Sequence, residues 1–182
     1  MLVNKQYGDI QVDFELEIQI PVEYPNSLPK VFETSNKVER IPENHVNYDG
    51  SLCLGAPIRL KMTMRKNPSL IYFFENCILP YLYAVSLKIY KGESFVFGEL
   101  AHGKLGLIED FKNLFNLSEE KKVYHMLFLL GTSKREANRL LCPCGCKKRV
   151  STCRFFKNVQ QMRKLLPRSE WEEQYTLIKR GY

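Results

Sequence analysis

The sequence predicts an α+β fold, and three features carry that expectation. Residues 8–20 alternate apolar and polar positions with a period of two. Beyond residue 67 the apolar residues recur at three- and four-residue spacing instead. Four of the six cysteines fall within twelve residues near the C-terminal end. The 182 residues suit one domain with an appendage. Low-complexity tracts and solenoid-length repeats are absent from the sequence, which argues against disorder and repeat arrays.

In GDIQVDFELEIQI, Ile10, Val12, Phe14, Leu16, Ile18 and Ile20 fall on one face, the pattern of a half-buried antiparallel strand or a hairpin of two. Pro21 ends it. Pro25 and Pro29 exclude helix from the next stretch and force a turn before a short extended segment, Lys30–Glu33. Residues 41–55 have no helical period, and Asp49-Gly50 marks a tight turn before an extended piece carrying Cys53.

Asn67 is the expected N-cap of the first helix, with Pro68 at its first helical position. Leu70, Ile71, Phe74, Ile78, Leu82 and Val85 supply its apolar stripe, Pro80 should kink or split it, and Gly92 closes it. GELAHGKLG (98–106) reads as a glycine-punctuated loop, followed by helices over 107–115 and 119–130 with Gly131 as C-cap. From Thr132 the chain turns short, basic and cysteine-bearing, so a boundary is placed there, giving units 1–131 and 132–182. Helices are expected over 155–166 and from Ser169 onward.

Charge is unevenly distributed. Residues 1–111 carry 11 Lys+Arg against 14 Asp+Glu, and residues 112–182 carry 16 against 6, a net of −3 and +10. A basic tail on an acidic body suits an anionic partner or a solvated face. Aromatic residues interleave poorly with the basic ones in that tail, apart from Phe155-Phe156, so nucleic-acid binding ranks last among the readings. The opening residues lack the apolar stretch of a secretory signal, and charges are expected to interrupt every candidate membrane span. A soluble cytoplasmic protein is the expectation.

In such a compartment Cys142, Cys144, Cys146 and Cys153 are better read as metal ligands than as disulfides. Thiolates spaced C-x-C-x-C-x₆-C in a Gly/Pro-turned loop can converge on one tetrahedral Zn²⁺, whose binding would supply the folding energy of a segment with little core. Four protein ligands leave no open position, so the metal is expected to be structural. The segment resembles the SEC-C zinc motif, with Cys146 in place of the usual Ser and Arg154 in place of the final ligand.

YPNSLPKV, then His45 to Gly50, then Ser51-Leu52-Cys53-Leu54 resemble the ubiquitin-conjugating enzyme family. HVNYDGSLCL with the downstream GELAHGKLG and the CPCGC tail is similar to the bacterial branch found in anti-phage (CBASS-type) operons beside a cGAS-like nucleotidyltransferase. The resemblance covers about residues 8–115 and implies an antiparallel meander backed by helices, without the preceding helix and strand of the family. It also implies that Cys53 accepts a partner's C-terminal carboxyl as a thioester and passes it to a lysine or thiol. The family's flap Asn, eight residues before the cysteine, falls here on His45, with Asn44 and Asn47 beside it. His45 is the favoured oxyanion or positioning residue, Asn47 the second, and His102 a candidate base. His125 and Cys77 read as structural.

No GxGxxG or P-loop is present in this sequence, so a separate activating enzyme, or a pre-activated donor, is implied. The implied partners are the nucleotidyltransferase, as acyl donor or bound target, and an acceptor lysine. The competing reading is a binding module that regulates the nucleotidyltransferase through complex formation alone.

Overall fold

The computed structural model describes residues 2–4, 8–95 and 103–180. It is α+β and mostly helical. Two compact units divide at Glu99 and Leu100.

In the first unit, β1 (Leu2–Asn4) pairs antiparallel with β2 (Gly8–Ile10), and β3 (Leu16–Gln19) pairs antiparallel with β4 (Lys30–Glu33). The alternating stretch is thus neither one uninterrupted strand nor its own hairpin: its two ends join different two-stranded ladders. Its period of two survives across the unpaired middle. Ile10 is buried and Val12, Phe14 and Leu16 are half-buried, while residues 11, 13 and 15 are exposed. The pattern fails at Ile18 and Ile20, which are 38% and 50% exposed. The extended segment Lys30–Glu33 is where the sequence placed it.

One helix of this unit has no counterpart among the expected elements. In the first unit α1 (Pro57–Lys66) starts on Pro57, a residue suited to a first helical turn. The next helix begins at α2 (Leu70–Phe73), and its cap is Ser69 rather than Asn67: the Ser69 hydroxyl accepts from the Tyr72 N–H at 3.1 Å. Asn67 acts one step earlier, its side-chain oxygen accepting from the Ser69 N–H at 3.2 Å. A five-residue π turn, Phe74–Ile78, then leads into α3 (Leu79–Lys91), with Pro80 in its first turn. Proline has no N–H and its ring crowds the carbonyl four residues back, so a widened turn just before it is the expected relief. Gly92 ends α3 at φ +67, in the left-handed region.

Over Leu70–Lys91 the helical run is long and apolar enough, by length and composition only, to cross a membrane, contrary to the expectation that charges interrupt every such run. Packing accounts for that apolarity. Phe73, Ile78, Leu82 and Val85 join Val31, Val46, Leu52 and Met64 in the core of this unit, with Phe14 and Leu16 against it.

The second unit holds α4 (Gly103–Phe115), α5 (Glu120–Gly131), α6 (Lys134–Ala137), α7 (Phe156–Leu165) and α8 (Arg168–Arg180). Helix α4 starts four residues before the expected 107. The loop read over 98–106 is helical from Gly103, because burial of Gly106, Ile108, Phe111 and Phe115 overrides the low helix propensity of glycine. The division between units falls upstream of Thr132 for the same kind of reason. Val123, Met126, Leu127 and Leu130 of α5 are buried, as are Trp171 and Ile178 of α8, and Trp171 lies 5.9 Å from Phe115 of α4. Gly131 is not the C-cap but the last helical residue; Thr132 caps. A Cβ on Gly131 would sit 3.0 Å from the Glu172 Cα, so its small size serves the close approach of α5 and α8.

Candidate functional site

Cys53 lies at the end of a small hairpin. An antiparallel bridge joins Val46 to Leu52; the Asn47 N–H donates to the Ser51 carbonyl at 2.8 Å and the Cys53 N–H to the His45 carbonyl at 2.7 Å. The turn between them closes through a Gly50 N–H to Asn47 carbonyl bond, with Gly50 at φ +82, a left-handed position that favours glycine. Asp49 fastens the turn: its carboxylate accepts from the Ser51 N–H and hydroxyl and pairs with Lys30 of β4 at 2.7 Å. The Lys30 and Ser51 hydrogen bonds hold the Asp49 carboxyl well below the usual carboxylate range. Leu52 is buried in the core and donates its N–H to the Val31 carbonyl at 2.7 Å, leaving Cys53 half-buried beside it.

The hairpin brings His45 and Cys53 to opposite positions on its two arms. His45 itself stands at φ +53, capping the short 3-10 turn Pro42–Asn44. Its ring lies against Phe95 at 4.3 Å between centroids. Two side chains of α3, seven residues apart on one face, clamp that turn: the buried Tyr81 hydroxyl donates to the Asn44 carbonyl at 2.7 Å and the Lys88 ammonium to the Glu43 carbonyl. Burial pushes the Tyr81 hydroxyl pKa up, and its electrostatic interaction with the nearby Cys53 and Glu33 adds to the effect. Nothing in the sequence marks Tyr81, Lys88 and Phe95, because on a helix stripe Tyr81 and Lys88 look like any other apolar or surface residue, and Phe95 follows the helix in an irregular stretch.

The other candidates are placed as follows. The Asn44 amide donates to the Glu39 carbonyl at 3.1 Å, and the Asn47 amide to the Ser51 hydroxyl at 3.0 Å. His102 lies outside the described residues. Cys77 is buried on the π turn and its thiol is pushed up to about 11 by that burial, as a core residue should be. His125 is half-buried on α5, and burial lowers its pKa.

The four clustered thiols do converge. The Sγ atoms of Cys142, Cys144, Cys146 and Cys153 all lie within 4.8 Å of one another, with Cys146 to Cys153 at 3.4 Å and Cys144 to Cys153 at 3.6 Å. A tetrahedral tetrathiolate site with bonds of about 2.3 Å has edges of about 3.8 Å. The cluster could therefore hold a metal ion.

Local chain geometry explains the convergence. A bridge between Leu141 and Arg149, with the Cys142 N–H donating to the Lys148 carbonyl at 2.8 Å, closes the loop. Gly145 at φ +87 and Lys147 at φ +60 turn it tightly. A 3-10 turn, Val150–Thr152, returns Cys153 to the cluster just before α7. The Phe155 N–H donates to the Cys153 sulfur at 3.4 Å, the main reason that thiol is pulled down to about 7, whereas burial pushes Cys142 up. An easily ionised thiol at the centre of the set suits a metal ligand.

Comparison of the chain with protein-family models, with characterised proteins and with solved structures finds no match.

Proposed function

We propose that this protein is an acyl carrier of the ubiquitin-conjugating type, with Cys53 as its nucleophile. The observation that carries the reading is the hairpin, which sets a half-buried cysteine opposite His45 on a backbone anchored to the core through Leu52. The Cys53 thiolate attacks an activated C-terminal carboxyl, the leaving group departs, and a thioester forms. A lysine amine or a second thiol then attacks the thioester carbonyl and Cys53 leaves as thiolate. Each attack creates an oxyanion that needs a nearby donor, the role assigned to His45. The proposed donor is the C-terminus of a cGAS-like nucleotidyltransferase, activated by a separate enzyme, within an anti-phage setting in the cytoplasm. Zn²⁺ is the proposed occupant of the Cys142, Cys144, Cys146 and Cys153 site, in a structural role, since all four positions are filled by the chain.

One observation favours the alternative of a binding module. The amide groups of Asn44 and Asn47 are both engaged elsewhere, with Glu39 and Ser51, and neither replaces the family's asparagine without breaking a bond. Co-expression with the nucleotidyltransferase decides between the two. A Cys53 adduct released by mild hydroxylamine, replaced in Cys53→Ser by a hydroxylamine-resistant ester, is the expected result. A stable complex with unmodified Cys53, unchanged in Cys53→Ser, assigns the protein to binding alone.

A further inference from the structure

The second unit carries 17 Lys+Arg against 8 Asp+Glu over residues 100–182, a net of +9. Part of that charge is gathered in one place. A depression of about 250 Å³ beside the cysteine loop is lined by Lys121, Lys122, His125, Leu141, Gly145 and Lys147. Lys122 is paired with Glu119, but Lys121 and Lys147 carry no ion pair among the described residues. Beyond it on α5, Lys121, His125 and Phe128 stand at i, i+4 and i+7 and so share a helix face. Phe128 is 45% exposed, and its ring lies 5.6 Å from that of Tyr175 on α8, with the Lys179 ammonium 5.6 Å above the Tyr175 ring.

We propose that this face of the second unit, from Lys147 and Lys121 to Phe128 and Tyr175, binds single-stranded nucleic acid. Lysines without an acidic partner attract phosphates, and the adjoining exposed Phe128, with the half-buried Tyr175 beside it, supplies stacking surface for bases, the two elements such sites combine. An acidic protein face would use the lysines but has no need of the aromatics. A tetrathiolate zinc centre is a dianion, and Lys122 already lies against its loop: a Cβ on Gly145 would come within 3.2 Å of the Lys122 Cε. Lys122 is thus engaged by Glu119 and packed on the loop, leaving Lys121 and Lys147 for a ligand. This site is independent of Cys53 and of the carrier reading.

The test is fluorescence anisotropy of a labelled single-stranded oligonucleotide of about 20 nucleotides with the full chain, from 50 to 300 mM salt. Binding should weaken steeply with salt, and Lys121→Ala/Lys147→Ala should flatten the log–log slope by about 1.4, the value for two lost phosphate contacts on a single strand. Phe128→Ala should weaken binding about fivefold or more while leaving the salt slope unchanged. Circular dichroism melting shows whether each variant is folded, and Lys121→Arg/Lys147→Arg, which keeps the charge, should restore binding. No binding at 50 mM salt overturns the proposal, as does affinity indifferent to all of these substitutions. Tighter binding of duplex than of single strand also overturns it. So does equal binding of poly-glutamate with no loss in Phe128→Ala, which would assign the face to acidic proteins.

Discussion

Cys53 and the Cys142 to Cys153 cluster present the same functional group in two settings. Cys53 stands without a second thiol in its hairpin and is held from outside: Leu52 is sunk in an apolar core, backbone bonds run to Val31 and His45, and Tyr81 clamps the facing turn. The clustered thiols sit on a loop whose Cys144, Gly145, Cys146 and Lys147 are at least partly exposed, and their nearest neighbours are one another. A half-buried thiol held apart from other thiols has no partners with which to share an ion, whereas thiols that converge on each other are suited to do so. Neighbours, more than the residue type, decide which chemistry a cysteine serves.

Removal of metal should separate the two settings most strongly. Structural zinc in small peptides is worth about 10–16 kcal/mol in apparent binding energy. A strong chelator should therefore abolish hydrogen-exchange protection at the Cys142 and Val150 amides, which bond to Lys148 and Leu140, and leave the Leu52 and Cys53 amides protected. Equal protection with and without chelator would break the comparison. Cys142→Ser, at a buried position, should lose more metal affinity than Cys146→Ser, at an exposed one.

Gly131→Ala asks whether the helices beside the cluster depend on close packing in their own right. The new methyl would meet the Glu172 backbone at 3.0–3.2 Å, and overpacking of this kind costs about 1–3 kcal/mol, set against a helix-propensity gain of up to about 1 kcal/mol. A net loss of stability in urea denaturation is expected with metal present. Tyr81→Phe removes a buried hydroxyl whose partner carbonyl then lacks its bond, a cost of about 1–2 kcal/mol in the first unit by the same measurement. Cys53→Ser, a near-isosteric change at a half-buried position, should change stability by no more than about 1 kcal/mol.

The smallest effect concerns pH. Asp49 has its folded-state pKa depressed by Lys30 and Ser51, so it contributes stability above the unfolded carboxyl value of about 3.9 and loses it as pH falls below that toward the folded value. Its side chain is exposed, so the contribution is modest and screened by salt. Local exchange at the Gly50 and Ser51 amides should rise in acid more in wild type than in Asp49→Asn, and identical acid responses would remove Asp49 from the hairpin's support.

Several features were legible in the sequence because they rest on local physics. The extended Lys30–Glu33, the helices near 107–115, 119–130 and 155–166, and the disruption at Pro80 follow from spacing, proline geometry and turn residues. The thiol convergence was legible too, since Gly145 and short spacing confine the four cysteines to one small loop. The nucleic-acid reading shows the limit. Aromatic and basic residues interleave poorly along the chain, yet folding brings Phe128 of α5 beside Tyr175 and Lys179 of α8.

By itself, the sequence determined the extended Lys30–Glu33, several of the helices and which cysteines can gather, because those depend on neighbours a few residues away. Only the tertiary structure decided that Gly131 serves a helix contact and that α5 joins the basic C-terminal unit. It also decided that α3 clamps the turn carrying His45. Each of these turns on contacts between residues far apart in sequence, whose packing outweighs the fractions of a kcal/mol by which local propensities differ.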